Sequence, residues 1–173
     1  GGSGTRLYPS TISISKQIIP IYDKPMIYYP LSTLMLAGIK EIMIISSTQH
    51  IDIFKNQFGD GKNLGITIYY EVQEKPNGIP EAFKISTKFI GDDSVVLILG
   101  DNLFYGQQLG SFLNKSFKLK RGSKIFIHQV KNPSQYGVAK LSNNSNILSL
   151  HEKPKTKISN YAITGLYFFD NDV

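Results

Sequence analysis

Apolar positions along this chain fall into two alternating rhythms. Ile27, Leu31, Leu34, Met35 and Gly38 stand at i, i+4, i+7, i+8 and i+11, the stripe of one helical face. Pro30 fits only the first turn of such a helix, and Gly38 suits its end. Residues 42–45 form a short apolar run that predicts a buried strand. Residues 51–58 predict a helix ahead of the Gly59-Asp60-Gly61 turn. Residues 66–72, rich in β-branched and aromatic side chains, predict a strand, and residues 80–90 a helix opened by Pro80. Residues 95–99 are apolar throughout, the pattern of a parallel strand covered on both faces, and run into Gly100-Asp101-Asn102. Leu109, Phe112, Leu113, Ser116 and Phe117 repeat at helical spacing, after which residues 124–130, 138–141, 147–151 and 161–169 are strand-like. This order predicts an α/β fold whose sheet gains antiparallel strands late in the chain.

Composition narrows the picture. A chain of 173 residues, 41% of them hydrophobic, predicts one domain with a sizeable core. No apolar run approaches the ~20 residues needed to span a bilayer, so a membrane protein is not expected. Cysteine is absent, which excludes disulfides, thiolate metal sites and cysteine nucleophiles and fits a reducing, cytoplasmic setting. The net charge of +6 suits an anionic partner. The lysines are scattered, however, and Arg6 and Arg121 are the only arginines. Without a basic stripe, nucleic acid is disfavoured and small phosphorylated molecules are expected. His50, His128 and His151 show no metal-binding spacing.

Several short stretches carry chemistry. Gly1, Gly2 and Gly4, in a loop with Ser3 and Thr5, lack the β-carbons that would keep backbone N–H groups from phosphate oxygens. Arg6 adds a cationic fork beside them. No Gly-Lys-Ser/Thr follows, so this is not a P-loop. Asp101 stands where a buried strand ends, the edge at which open α/β sheets bind ligands, and a carboxylate there can hold Mg²⁺ against triphosphate oxygens. Gln73 ends another predicted strand, and a turn at Asn77-Gly78 follows. Tyr136-Gly137 lies just beyond Asn132-Pro133, and Glu152-Lys153 precedes Pro154.

Gly1-Gly2-Ser3-Gly4-Thr5-Arg6-Leu7-Tyr8-Pro9, with Thr11 and Lys16-Gln17 after it, resembles the signature of sugar-1-phosphate nucleotidyltransferases. The stretch from Lys16 to Gly38 looks like their thymidylyltransferase branch, in which glutamine follows the lysine. The resemblance implies a Rossmann-like, glycosyltransferase-A-like fold with a mixed, mostly parallel sheet flanked by helices. It implies transfer of a thymidylyl group from dTTP to glucose 1-phosphate with release of pyrophosphate, Mg²⁺ dependence, a role in supplying dTDP-sugars, and a homo-oligomer, a tetramer by resemblance. Catalysis would fall to Arg6, Lys16 and Lys153, and the metal to Asp101. The nucleotide would lie against Gly1, Gly2, Ser3, Gly4, Thr5, Gln17, Gln73 and Gly78. The sugar phosphate would lie against Asn102, Tyr136, Gly137, Glu152, Lys153 and Ile163.

By the same resemblance, a strand that feeds the glycine loop from inside the sheet is expected ahead of Gly1. A Trp-x-Asp-Thr-Gly-like segment with a second metal carboxylate is expected beyond residue 173, so that residues 1–173 are one domain truncated at both ends. Ile79-Pro80-Glu81-Ala82 departs from the Leu-Ala-Gln-Ala usual at that place, which leaves base selectivity open. Two other readings stand beside this one. The first is a nucleotidyltransferase for UTP, CTP or another sugar 1-phosphate; the second is a nucleotide-binding module without catalysis.

Overall fold

The computed structural model describes residues 7–116, 121–144 and 146–172. A small hairpin of β1 (Pro20–Ile21) and β2 (Lys24–Pro25) leads into α1 (Tyr28–Leu36). Strand and helix then alternate through β3 (Glu41–Ser46), α2 (Ile51–Phe58), β4 (Thr67–Val72), α3 (Ile79–Ile90), β5 (Val95–Ile98) and α4 (Leu109–Ser116). The described chain closes with β6 (Ser123–Gln129), β7 (Gly137–Leu141), β8 (Ile147–Glu152) and β9 (Tyr161–Phe169).

Local chemistry explains the helix ends. Pro30 is the third residue of α1, where its missing N–H has no intrahelical acceptor to serve. Gly38 closes that helix at φ 81. Its N–H bonds the Met35 carbonyl, and the Ile39 N–H reaches back to Leu34, a left-handed termination that glycine adopts without a β-carbon clash. In α2, Ile51, Phe54 and Phe58 share one face and are buried.

β3 and β4 pair in parallel from Glu41 opposite Thr67 to Ser46 opposite Val72, with α2 in the crossover. β9 is the spine of a second sheet. β6 runs along one of its edges, from Ser123 opposite Phe169 to Gln129 opposite Tyr161. The other edge is shared: β5 takes it from Leu166 to Phe169, and β7 takes it at Ala162 with β8 outside. The α/β class and the late antiparallel strands are as expected. The direction of β5 is not, since its ladder among the described residues is antiparallel. Apolar runs report burial of both faces, which parallel strands share with central antiparallel ones.

Two core clusters hold these layers. Leu31 and Leu34 of α1, Ile42 and Ile44 of β3, Phe54 and Phe58 of α2, and Ile66 and Ile68 beside and within β4 form the first. Ala37, Leu113 of α4, and Leu166 and Phe168 of β9 form the second. Ile42 and Ile44 of β3, and Ala162, Leu166 and Phe168 of β9, are buried on one face of each strand, as the two-residue period requires.

A cleft of about 890 Å³ separates β3 from β5. Every residue of 41–47 and of 93–100 lines it. Successive side chains of a strand point to opposite faces, so a cleft that meets them all runs along the strand edges.

Candidate active site

The carboxyl end of β5 is where distant parts of the chain meet. Beyond that strand the backbone turns, with the Asn102 N–H bonding the Leu99 carbonyl at 3.0 Å, and this turn projects Asp101. Lys16, first residue of a short 3₁₀ turn, donates from Nζ to Asp101 Oδ2 at 2.8 Å. The other carboxylate oxygen, Oδ1, accepts from Asn102 Nδ2 at 3.0 Å. Burial pushes the Asp101 carboxyl up, but the hydrogen bond and charge of Lys16, helped by Asn102, outweigh it and hold the group below its ordinary 3.8. Both side chains of the ion pair keep about a third of their surface exposed, 33% and 34%, so a ligand can reach them.

Asn102 in turn ties this corner to β9. Its Oδ1 accepts the Gly165 N–H at 2.9 Å. A β-carbon on Gly165 would lie 2.7 Å from Asn102 Nδ2 and 2.8 Å from Leu99 Cβ, so the contact exists only because residue 165 has no side chain. Asn102, expected to contact the sugar phosphate, also bonds the protein at both ends of its amide, to Asp101 and to Gly165.

Two residues before Gly165 on β9 is Ile163, which borders a third group. Gly137 opens β7 directly opposite Glu152 at the end of β8. A β-carbon on Gly137 would meet Glu152 Oε2 at 3.1 Å and Ile163 Cδ1 at 3.5 Å. Lys153 follows at φ 39, in the left-handed region, where a non-glycine residue is strained by roughly 1–2 kcal/mol. Its N–H bonds the Tyr136 carbonyl at 3.1 Å, which holds the turn. The Lys153 ammonium rests 3.5 Å from Glu152 Oε1, and both side chains are largely exposed. Tyr136, Gly137, Glu152, Lys153 and Ile163 thus gather as expected. In the described structure Lys153 pairs with its neighbour and not with the Lys16–Asp101 corner.

Gln17, Gln73 and Gly78 all line the cleft. Gln17 lies against Gly100, where a β-carbon would come 3.1 Å from its Cγ, and its Oε1 accepts from Ser15 at 2.5 Å. Gln73 is buried and extends the β3–β4 ladder through its N–H to the Ser46 carbonyl at 2.8 Å. Its side-chain Nε2 donates to Glu81 Oε2 at 2.8 Å and to the Gly78 carbonyl at 3.3 Å.

Gly1, Gly2, Ser3, Gly4, Thr5 and Arg6 lie outside the described residues. Three contributors received no role from sequence. Gly165 was visible only as one glycine of a strand, and Ser15 as one serine of a polar stretch. Glu81 was visible as a departure from the usual motif, but its partner, Gln73, sits eight residues earlier and is set by the turn between them.

No three carboxylate or histidine side chains form a metal cage among the described residues. At this corner Asp101 offers a hard oxygen donor. Mg²⁺ commonly takes one or two carboxylates and fills its remaining positions with phosphate oxygens and water, so this corner fits an ion that arrives with a triphosphate.

The whole chain, residues 1–173, matches the nucleotidyl transferase family. It is 54% identical over 173 residues to a glucose-1-phosphate thymidylyltransferase of Mycobacterium tuberculosis, covering 100% of this chain and 60% of that protein. It is 51% identical over 171 residues to the corresponding protein of Neisseria meningitidis serogroup A, covering 99% and 59%. A crystal structure of a Bacillus anthracis protein assigned as a glucose-1-phosphate thymidylyltransferase, in complex with sucrose, superposes with a TM-score of 0.92 at 36% identity. That match covers 99% of this chain and 69% of the other. The chain therefore spans about 60% of the length of these curated relatives. With a match from its first residue to its last, and the same fold in the crystal structure, this chain belongs to the nucleotidyl transferase family.

Proposed function

We propose that this chain is the substrate-binding part of an enzyme that transfers a thymidylyl group from dTTP to glucose 1-phosphate and releases pyrophosphate. The observation that carries the reading is the 2.8 Å contact between Lys16 and Asp101. It puts a cation and a potential metal-binding carboxylate side by side at the sheet edge, next to the Gly137–Glu152–Ile163 group. In the reaction, a phosphate oxygen of the sugar phosphate attacks the α-phosphorus in line. A new P–O bond forms there while the bond from that phosphorus to the pyrophosphate oxygen breaks. Two anions must be brought together and the charge of the leaving group offset, which positioned cations accomplish without a covalent intermediate. In this scheme Arg6 holds the departing phosphates, Lys16 bridges the reacting ones, and Lys153 leaves Glu152 to hold the nucleophile. Gln17 and Gln73 border the nucleotide at the carboxyl ends of β4 and β5, and Glu152 meets sugar hydroxyls. Asp101 would hold Mg²⁺, whose charge would further neutralise the phosphates.

The test is a panel of dTTP, UTP and CTP, each with glucose 1-phosphate and with other sugar 1-phosphates, with pyrophosphate release measured on the full-length protein. Turnover is expected to be fastest with dTTP and glucose 1-phosphate. Preference for another pair would correct the substrates, and binding of dTTP without product would leave only a binding module.

The cleft between β3 and β5 belongs to the same proposal. An apolar strand ahead of Gly1 would pair with both strand edges and carry the chain into the glycine loop. A longer chain that includes this strand is expected to melt at higher temperature than residues 1–173. Equal melting temperatures would place the strand elsewhere. No helix among the described residues is long and apolar enough to cross a membrane. Homo-oligomeric assembly and a cytoplasmic location, where nucleoside triphosphates are at hand, complete the proposal.

A further inference from the structure

We infer that Thr164 is a positioning residue for the reaction: its hydroxyl fixes an irregularity in β9 that aims the Gly165 N–H at Asn102 and so sets where Asp101 stands. The inference rests on the nucleotidyl-transfer reading above, in which Asp101 belongs to the reaction.

The β6–β9 ladder does not keep one register. Ile125 stands opposite Tyr167, but Ile127 stands opposite Ile163. Between those pairs β6 supplies one residue, Phe126, and β9 supplies three, Thr164, Gly165 and Leu166. Such a bulge takes backbone groups out of the ladder and re-aims what the strand carries, which is why bulges are frequent beside active sites. The other edge of β9 changes partner over the same residues. Ala162 pairs with Val138 of β7, whereas Leu166 pairs with Ile98 of β5. The bulge thus lies where β9 passes from one neighbour to the next, between Ile163 and the Asp101 corner.

Backbone groups taken out of a ladder need other partners, and here they find specific ones. The Gly165 N–H donates to Asn102 Oδ1 at 2.9 Å, and the Gly165 carbonyl accepts from the Leu99 N–H at 2.8 Å. Both bonds lead to the turn that carries Asp101. The Phe126 carbonyl accepts from Thr164 Oγ1 at 3.0 Å, which ties the bulge back to β6.

At that point β6 is a firm anchor. The Phe126 ring packs against the core of Ala37, Leu113, Leu166 and Phe168, its centroid 5.3 Å from that of Phe112 and 5.5 Å from that of Phe168. A hydroxyl has one hydrogen to give, and a β-branched side chain has few rotamers in which to give it. Thr164 therefore converts the place of a packed ring into the place of residue 165. Valine has the same shape but no donor. It would set a methyl group against the Phe126 carbonyl, and a packed carbonyl without its partner is unfavourable, so the bulge would move.

The test compares Thr164→Val with Thr164→Ser in the full-length protein, by steady-state kinetics well below the melting temperature, thermal melts and hydrogen–deuterium exchange of the Gly165 amide. T164V is expected to lower kcat by about 10–10²-fold, the scale of a displacement of roughly 1 Å in a positioned group, and to speed exchange at Gly165. T164S keeps the donor and should hold both near wild type, even though its lost methyl lowers the melting temperature. In an Asn102→Ala background T164V should cost little further kcat, because changes within one hydrogen-bonded path do not add. Should T164V fail to fold, Thr164→Ala, which removes the donor without a methyl against the carbonyl, carries the same expectations. Wild-type kcat without the hydroxyl, or an equal loss in T164S, would overturn the inference and leave the transfer reading intact. Additive losses with N102A, or unchanged exchange at Gly165, would overturn it as well, since Thr164 would then act by another route. A wild type without transfer activity would overturn both.

Discussion

Methionine in place of Lys16 is expected to lower turnover of the full-length protein by about 10²–10³-fold, the usual cost of removing one preorganised transition-state donor, while nucleotide affinity falls much less. The side chain is near in size, so packing is preserved and charge is what changes. Lys16 stands 2.8 Å from Asp101, and charge develops on the phosphates that the two would share. Steady-state kcat and calorimetric Kd, measured together, separate the alternatives. A loss confined to Kd would make Lys16 a ground-state binder, and unchanged kcat would remove it from the reaction.

The same variant has a signature in pH. Lys16 keeps the Asp101 carboxyl below 3.8 against the opposing effect of burial. A carboxyl depressed in the folded state contributes stability above its unfolded pKa, and that contribution disappears as pH falls through the lower folded value. K16M lacks it at every pH. The gap in melting temperature between wild type and variant should therefore be full at neutral pH and close below pH 3.8. A gap of constant size would trace the loss to packing instead.

Alanine in place of Gly165 is expected to lower stability by about 1–3 kcal/mol, the range for forcing atoms into a packed site, and to impair the reaction as well. The new β-carbon would meet Asn102 Nδ2 at 2.7 Å, Asn102 Cγ at 2.8 Å and Leu99 Cβ at 2.8 Å. Leu99 Cβ is fixed by the backbone, so Asn102 must move, and with it goes the bond to Asp101 Oδ1. Thermal melts read the first effect and kcat the second. Combining G165A with Asn102→Gly should recover part of the stability, because two of the three clashes vanish, but none of the activity. Full recovery of both would show that Asn102 has no part in positioning Asp101.

The contrast between Asp101 and Gly165 shows how the site divides. Asp101 was legible in advance because a wholly apolar run ended in Gly-Asp-Asn, and the physics of buried strands places such a carboxylate at a sheet edge. Gly165 was not, because its function is an absence of atoms toward a residue 63 positions away, and no local pattern encodes that. The periodicity likewise marked α1 to α4 and β3 to β9 within a residue or two, and gave no sign of the short β1–β2 hairpin. It missed the direction of β5, since hydrophobic burial is the same whichever way a neighbouring strand runs.

Sequence alone determined where these helices and strands and their turns lie, because those follow from spacing, from Pro30 and Pro80, and from glycines such as Gly38. Together with the glycine-rich opening motif, it also determined the family. Only the tertiary structure decided that Lys16 rests on Asp101, that Asn102 bonds Gly165, and that Glu81 grips Gln73. Each of these depends on distances between segments far apart in the chain, or across a turn, and such distances arise only after the core has packed and the conformational freedom of the connecting backbone has been lost.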